Sequence, residues 1–254
     1  MPTPARNPLQ SVATTFEILD ALKTLDGAGV TELAQHLDVP KSTAHNYLST
    51  LEQEEYVVRE DTEYRVGLRF LELGAYARHV EQLFEIAKPE VDRLADETGE
   101  LANLLVEEHG RGTYLYRAYG DQAVRVKAHV GTRVPLHTTA LGKAILASLP
   151  PEEVDEIVDR HGLDAPTDQS ISTRSELDDA LADIREQGVA FDDEERIDGL
   201  RCVAAPIRDD GDEVIGAISA SGPTNRLRGE RFREELAGKV LEVANVIELN
   251  VTHS

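Results

Sequence analysis

Three stretches of the chain hold side chains whose types and spacing could do chemistry. The first is Lys41 to Leu51, KSTAHNYLSTL, where the apolar positions Ala44, Tyr47, Leu48 and Leu51 recur every three or four residues and share one face of a short helix. The other face carries Lys41, Ser42, His45, Asn46, Ser49 and Thr50, with Thr43 beside them. Donors and acceptors of that size reach base edges in a DNA major groove, although the same spacing also suits a solvated amphipathic helix. The second stretch is Thr138-Thr139, which precedes a helical run over Leu141 to Leu149. Backbone N–H groups unpaired at a helix start form an anion site that needs no basic side chain, whereas a plain Thr N-cap would use the same residues. Gly142-Lys143 is not a phosphate-binding loop, because the GxxxxGK[ST] pattern fails at His137 and Ala144.

The third stretch is AISAS, Ala217 to Ser221. Strand alternation puts Ala217, Ser219 and Ser221 on one face, where small side chains leave room and two hydroxyls could hold a small polar ligand. Hydroxyls bonded only to nearby backbone would explain the same residues. Cys202 could act as a nucleophile only with a histidine base such as His129 or His137. Inside the apolar run CVAAPI it reads instead as a buried small side chain or a ligand-lining group. Asp192-Asp193-Glu194-Glu195 could hold a divalent cation, but consecutive carboxylates on an acidic chain read as solvated or paired with Arg196 and Arg201. His129 and His137 lack metal-ligand spacing with each other or with Cys202. No metal, cofactor or catalytic residue is expected.

The elements around these residues follow from periodicity. A helix is predicted from Pro8 to Thr24, burying Val12, Phe16, Leu19 and Leu22, and Asp26-Gly27-Ala28-Gly29 breaks it. Thr31 N-caps a short helix to Leu37, and the next helix begins at Lys41 or Ser42. Tyr56–Arg59 and Glu63–Val66 then make a hairpin with its tip at Glu60 to Thr62. Three helices and a hairpin form a winged helix-turn-helix, with Phe16, Leu19, Leu22, Leu33, Leu37, Leu48, Leu51 and Val57 as its core. Arg59 and Arg65, near the ends of the wing, could meet phosphates or pair with carboxylates. Leu68 to Thr98 reads as helix interrupted near Lys88-Pro89. Strands are predicted at Leu101–Glu107, Gly112–Tyr119, Val124–His129, Cys202–Ile207 and Glu213–Ser219. Helices are predicted at Leu141–Leu149, Glu152–His161, after the Thr173–Glu176 capping box, and from Glu230 to Leu249.

The composition is that of a globular chain of 254 residues, 41% hydrophobic, and its single cysteine excludes an intramolecular disulfide. No apolar run is long enough to span a membrane, and MPTPARNPLQ lacks the apolar stretch of a signal peptide, so a cytoplasmic protein is expected. The 26 Lys and Arg against 48 Asp and Glu leave a net charge of −22, and only six of the cations are Lys. Such acidity ordinarily argues against nucleic acid. Acidic residues spread along the whole chain instead suggest adaptation to a salt-saturated cytoplasm.

With these motifs in order, the chain resembles the IclR family of transcription regulators over nearly its whole length. The resemblance rests on KSTAH, on Tyr64 to Gly74 (YRVGLRFLELG), on Pro135 to Ala147 (PLHTTALGKAILA), on Gly199 to Ile207 (GLRCVAAPI) and on Ala217 to Pro223 (AISASGP). It implies an α+β architecture: an N-terminal winged helix-turn-helix over residues 1–67, a linker helix over 68–85, and a C-terminal GAF-like effector-binding domain over 86–254. It further implies double-stranded operator DNA and a small-molecule effector, such as a small organic or aromatic acid, as partners, and a homodimer or tetramer. The family's effector site carries over onto the backbone of Ala140 and Leu141 and onto the side chains of Asp192, Cys202, Ser219 and Ser221. Two positions depart from the family: Asn46 stands where Arg is common, and Ala140 where Gly is often found. The expectation is an effector-modulated regulator, not an enzyme. The rivals are a DNA-binding protein indifferent to ligands and a small-acid-processing enzyme using Cys202.

Overall fold

A computed structural model describes residues 5–253; Met1 to Pro4, with which the MPTPARNPLQ stretch begins, and Ser254 lie outside the described residues. The chain divides into two units, one up to Val80 and the other from Glu81 onward. In the first, α1 (Gln10–Thr24), α2 (Val30–His36) and α3 (Lys41–Gln53) precede the hairpin β2 (Val57–Glu60) and β3 (Glu63–Val66) and then α4 (Arg69–His79). Their core is Ile18, Ala21, Leu22, Leu33, Ala34, Ala44, Leu48, Leu51, Val57 and Tyr64.

The buried stripe of α1 is Ile18, Ala21 and Leu22, while Val12 and Phe16 are exposed. Apolar residues on α1 fit two overlapping helical stripes, and the core takes only one of them. Thr31 is not a cap, because α2 starts at Val30 behind an extended Gly29. That glycine belongs to a two-residue strand, β1 (Ala28–Gly29), which pairs with β3 and was not expected. Leu37 is only half-buried. The helix break falls at Val80-Glu81, not near Lys88-Pro89. Pro89 sits inside α5 (Gln82–Thr98), whose buried stripe of Leu83, Phe84, Ala87, Val91, Leu94 and Ala95 holds the helix through the one hydrogen bond that Pro89 cannot donate.

The second unit is built on an antiparallel sheet of six strands in the order β6-β5-β4-β9-β8-β7. The strands are β4 (Leu101–Glu108), β5 (Arg111–Tyr119), β6 (Arg133–Pro135), β7 (Ala190–Asp193), β8 (Leu200–Arg208) and β9 (Val214–Pro223). Alternation divides the side chains between two cores. Leu104, Val203, Ala205, Ile218 and Ala220 face α5 and the C-terminal α9 (Leu236–Thr252). Leu105, Cys202, Ala204 and Ala217 face α6 (Ala140–Ser148), α7 (Pro151–His161) and α8 (Arg174–Gln187). Thr173 and Glu176 form the expected capping box on α8. The final helix opens with a π turn, Arg231–Glu235, before α9.

Residues 124–129 are not a strand. The edge beside β5 is taken by β6, and Gly131 and Thr132 bond to the Tyr114 backbone, so the β-branched residues before them have no ladder to join. Strand β7 was not anticipated: its Asp192-Asp193 end reads as polar loop, yet it pairs with β8 over Ala190–Asp193. The β4–β5 ladder shifts register between Leu104 and Leu105, which pair with Tyr116 and Tyr114 and leave Leu115 as a bulge.

Glu100, at the start of β4, is wholly buried and held by Arg226 through two contacts of 2.6 Å and by Arg231 at 3.3 Å. Arg226→Met leaves that buried carboxylate with only the longer Arg231 contact and is expected to destabilise the second unit by about 3 kcal/mol in urea unfolding followed by circular dichroism. Adding Glu100→Gln to that variant is expected to recover part of the loss; a double variant as unstable as the single one would contradict this account.

Candidate functional sites

On α3, burial of Ala44, Leu48 and Leu51 turns Lys41, Ser42, His45, Asn46 and Thr50 to solvent, with Thr43, Tyr47 and Ser49 half-buried. Thr50 Oγ1 donates to the Asn46 carbonyl at 2.8 Å, and the Ser49 hydroxyl lies 3.5 Å from His45 Nδ1, whereas no ion pair engages Lys41 or His45 among the described residues. On the wing, Arg59 donates from Nε to the Asp61 carbonyl at 2.9 Å and lies over the Tyr64 ring. Arg65 is paired with Glu60, so any phosphate contact by Arg65 competes with that carboxylate.

In the second unit, strand register assembles a polar row on the sheet face beneath α6. Asp192 pairs across β7–β8 with Cys202, and Cys202 across β8–β9 with Ser221. One rung along, Ser219 pairs with Asn103 on β4, and Asn103 with Arg117 on β5. Asn103, Arg117, Asp192, Cys202, Ser219 and Ser221 are all buried. Asn103 Nδ2 donates to Ser219 Oγ at 3.2 Å and Ser221 Oγ at 3.3 Å, and its Oδ1 accepts from Arg117 Nε at 3.0 Å. Ser221 Oγ donates to Cys202 Sγ at 3.1 Å. The two hydroxyls are thus held by an amide and a thiol, not by nearby backbone.

The start of α6 lies over this face. Thr139 Oγ1 accepts the Gly142 N–H at 2.9 Å and the Thr139 carbonyl that of Lys143 at 2.9 Å, leaving the N–H groups of Ala140 and Leu141 without a protein acceptor among the described residues. Gly142 is required by close approach, since a Cβ there would stand 2.2 Å from the Leu136 carbonyl oxygen. Lys143, buried, is gripped by both carboxylate oxygens of Glu195 at 2.5 Å. The Glu195 N–H in turn donates to Asp192 Oδ1 at 2.8 Å. The acidic run is therefore built in: Asp192 is buried, Asp193 pairs with Arg201 at 2.6 Å, and Glu194 accepts the Gly199 N–H at 2.7 Å.

Burial first, and the Glu195 charge second, push the Asp192 carboxyl up to about 7. Burial, with the Asp192 charge adding to it, pushes the Cys202 thiol up to about 12, which opposes the thiolate that a nucleophile needs. His137 Nε2 is engaged with the Asp164 carbonyl at 2.9 Å and His129 Nδ1 with that of Val130 at 2.9 Å, so neither histidine is arranged as a base for Cys202. Among the described residues no three His, Cys, Asp or Glu side chains converge to hold a metal ion. Asn103, Arg117 and Tyr114 were not picked out from sequence, and Lys143 was weighed there only as part of a phosphate-binding loop. The placement of the first three depends on cross-strand register and, for Tyr114, on the bulge at Leu115.

A winged helix-turn-helix and an α+β unit with a buried polar row beside a helix start define a DNA-binding regulator carrying a second, sensory-type domain. Residues 11–61 match the IclR helix-turn-helix domain, and residues 75–249 match the bacterial transcriptional regulator IclR C-terminal domain. The chain is 36% identical to the probable HTH-type transcriptional regulator ArcR of Halobacterium salinarum, over 96% of this chain and 94% of that protein. The Thermotoga maritima IclR crystal structure superposes with a TM-score of 0.77 at 30% identity, covering 95% of this chain and 98% of that one. A Microbacterium hydrocarbonoxydans IclR homologue complexed with 4-hydroxybenzoate shares the fold with a TM-score of 0.77 at 24% identity, over 94% of this chain and all of that one. The chain belongs to the IclR family of transcription regulators.

A carboxyl raised in the folded state binds its proton more tightly than in the unfolded chain. Asp192 therefore lowers stability as pH rises from its ordinary 3.8 through about 7, and its effect levels off above that. Asp192→Asn is expected to flatten this part of the stability profile, measured by urea unfolding from pH 4 to 8. Parallel profiles for the two proteins would contradict the raised value.

Proposed function

We propose that the chain binds operator DNA through α3 and responds to a small organic or aromatic acid held against the α6 face of the sheet. The solvent-facing polar row on α3, set on a buried apolar stripe, carries the DNA half of this reading. Ser42, Thr43, His45, Asn46, Ser49 and Thr50 read base edges, while Lys41 and Arg59 meet phosphates and Arg65 does so at the expense of Glu60. The effector engages the free N–H groups of Ala140 and Leu141 together with Asp192, Cys202, Ser219 and Ser221. The 4-hydroxybenzoate held by the Microbacterium homologue supports an aromatic acid as one candidate.

The second unit, a sheet with helices on both faces, is GAF-like and serves in binding and not in catalysis, a reading supported by a Cys202 thiol pushed up to about 12 with neither His129 nor His137 arranged as its base. The protein works as a homodimer or tetramer, since one winged helix has too small a footprint for a specific site. Exposed Val12 and Phe16 on α1 and Leu71 and Tyr76 on α4 offer apolar surface for that assembly. It is cytoplasmic and halophilic; its charge of −22 supports the second, and no helix among the described residues is long and apolar enough to cross a membrane.

Footprinting on the DNA upstream of its own gene, with and without small carboxylic and aromatic acids, is expected to show a protected site whose occupancy the acid changes. No protected site would overturn the DNA reading, and protection indifferent to every acid would favour a ligand-independent regulator. Asn46→Ala is expected to cost about 1 to 3 kcal/mol of operator binding and relax one base pair of specificity. Residues 1–65 carry five Lys or Arg against eleven Asp or Glu. Operator affinity is therefore expected to fall only shallowly with KCl, and a steep loss from low to high salt would contradict this.

A further inference from the structure

We propose that Arg117 supplies the counter-charge for a monocarboxylate bound against the α6 face of the sheet, with Asn103 as the residue that positions it. This rests on the ligand-responsive reading above and names the group that selects the charge of the ligand. Among the described residues Arg117 is the one arginine classed with the buried core, 8% exposed, yet it forms no ion pair there. Scarcity of acid is not the reason, because the chain holds 48 Asp and Glu, and Arg93, Arg174, Arg201, Arg208, Arg226 and Arg231 of the same unit all meet carboxylates. Arg117 meets only neutral groups: Asn103 Oδ1 at 3.0 Å, the Ala128 carbonyl, and the rings of Tyr114 and Tyr119 at 5.4 and 5.6 Å. Its Nη2 has no protein acceptor among the described residues. That atom is not one of the buried polar atoms left without a partner, so it stays open to a ligand oxygen, and a carboxylate there gives this largely buried charge its counter-ion.

The Leu115 bulge decides what stands beside Arg117. Simple alternation along β5 would group Tyr114 with Tyr116 and Ala118, on the face opposite Arg117. With Leu115 as the extra residue, packed with Tyr116 and Ala118 into the α5 and α9 core, Tyr114 joins the α6 core on the face where Arg117 reaches Asn103 beside the two serines. The other cations nearby are committed differently. Lys143 is gripped by Glu195, and the partly exposed Arg196 reaches Thr138 Oγ1 at 3.5 Å. One guanidinium offsets one negative charge, which favours a monocarboxylate over a dianionic phosphate. Asn103 bonds Arg117 and both serine hydroxyls through one amide, so ligand contact with either end is felt at the other.

The test is calorimetric titration of the full chain with benzoate, 4-hydroxybenzoate, propionate and lactate, each beside its uncharged primary amide, and with inorganic phosphate. Wild type is expected to bind at least one acid tenfold or more tighter than its amide and than phosphate. Arg117→Met is expected to erase the acid preference, Arg117→Lys to keep it with weaker binding, and Arg196→Met to keep it unchanged. An Arg117→Met protein that folds by circular dichroism and still prefers the acid overturns the proposal, as does loss of the preference in Arg196→Met alone. Should Arg117→Met not fold, a crystal structure of the wild-type complex decides. A carboxylate oxygen within hydrogen-bond distance of Arg117 supports the assignment, and a carboxylate seated only on the Ala140 and Leu141 N–H groups overturns it. Binding of no probe, together with operator binding indifferent to all of them, overturns instead the ligand-responsive reading on which the proposal rests.

Discussion

The second unit depends on satisfying polar groups that its own sheet buries. Packing α6, α7 and α8 onto one face removes Asn103, Arg117, Asp192, Ser219 and Ser221 from water, and each would cost free energy if left alone. They answer one another instead. The Asn103 amide bonds Arg117 on one side and two hydroxyls on the other, Ser221 reaches Cys202, and Asp192 accepts a backbone N–H from the turn that carries Glu195. Groups held this way are pre-oriented, and exchanging one partner for a ligand atom disturbs a connected network.

The same constraint explains why α6 begins where it does. Gly142 admits the Leu136 backbone to within a distance that any side chain would forbid, which folds Thr138 and Thr139 tightly against the helix start. Lys143, one residue on, crosses to Glu195 beyond β7. The helix start, the acidic turn and the sheet row are thereby locked together, and the N–H groups left over are those of Ala140 and Leu141. Structural bonds account for most of the polar atoms of this region and leave a short, defined set over: two backbone donors and part of one guanidinium.

Much of the fold was legible because periodicity reports burial. The polar face of α3, the wing, the capping box on α8 and the small-residue face of β9 follow from spacing alone. What failed did so where local pattern competes with tertiary packing. Phe16 lies on one of two possible stripes of α1, and only the assembled core decides between them. Residues 124–129 carry strand-forming side chains, but the neighbouring edge was already taken. β7 was hidden because its Asp192-Asp193 end looks like solvated loop until Asp192 is seen paired to Cys202. Of the candidate effector site, the residues carried over by resemblance were visible, whereas Arg117 and Asn103 were not, since only the pairing of β4 with β9 and with β5 brings them beside the two serines.

This buried row and the adjoining α6 start are where we propose that a small acid is sensed. Amide-resolved NMR of the full chain, titrated with an acid that alters operator binding, tests it most directly. The largest shifts are expected at the Ala140 and Leu141 amides and at the Asn103 and Arg117 side-chain N–H groups, because those donors gain or exchange an acceptor. Shifts confined to other surfaces, with these four groups unchanged at saturation, would contradict it.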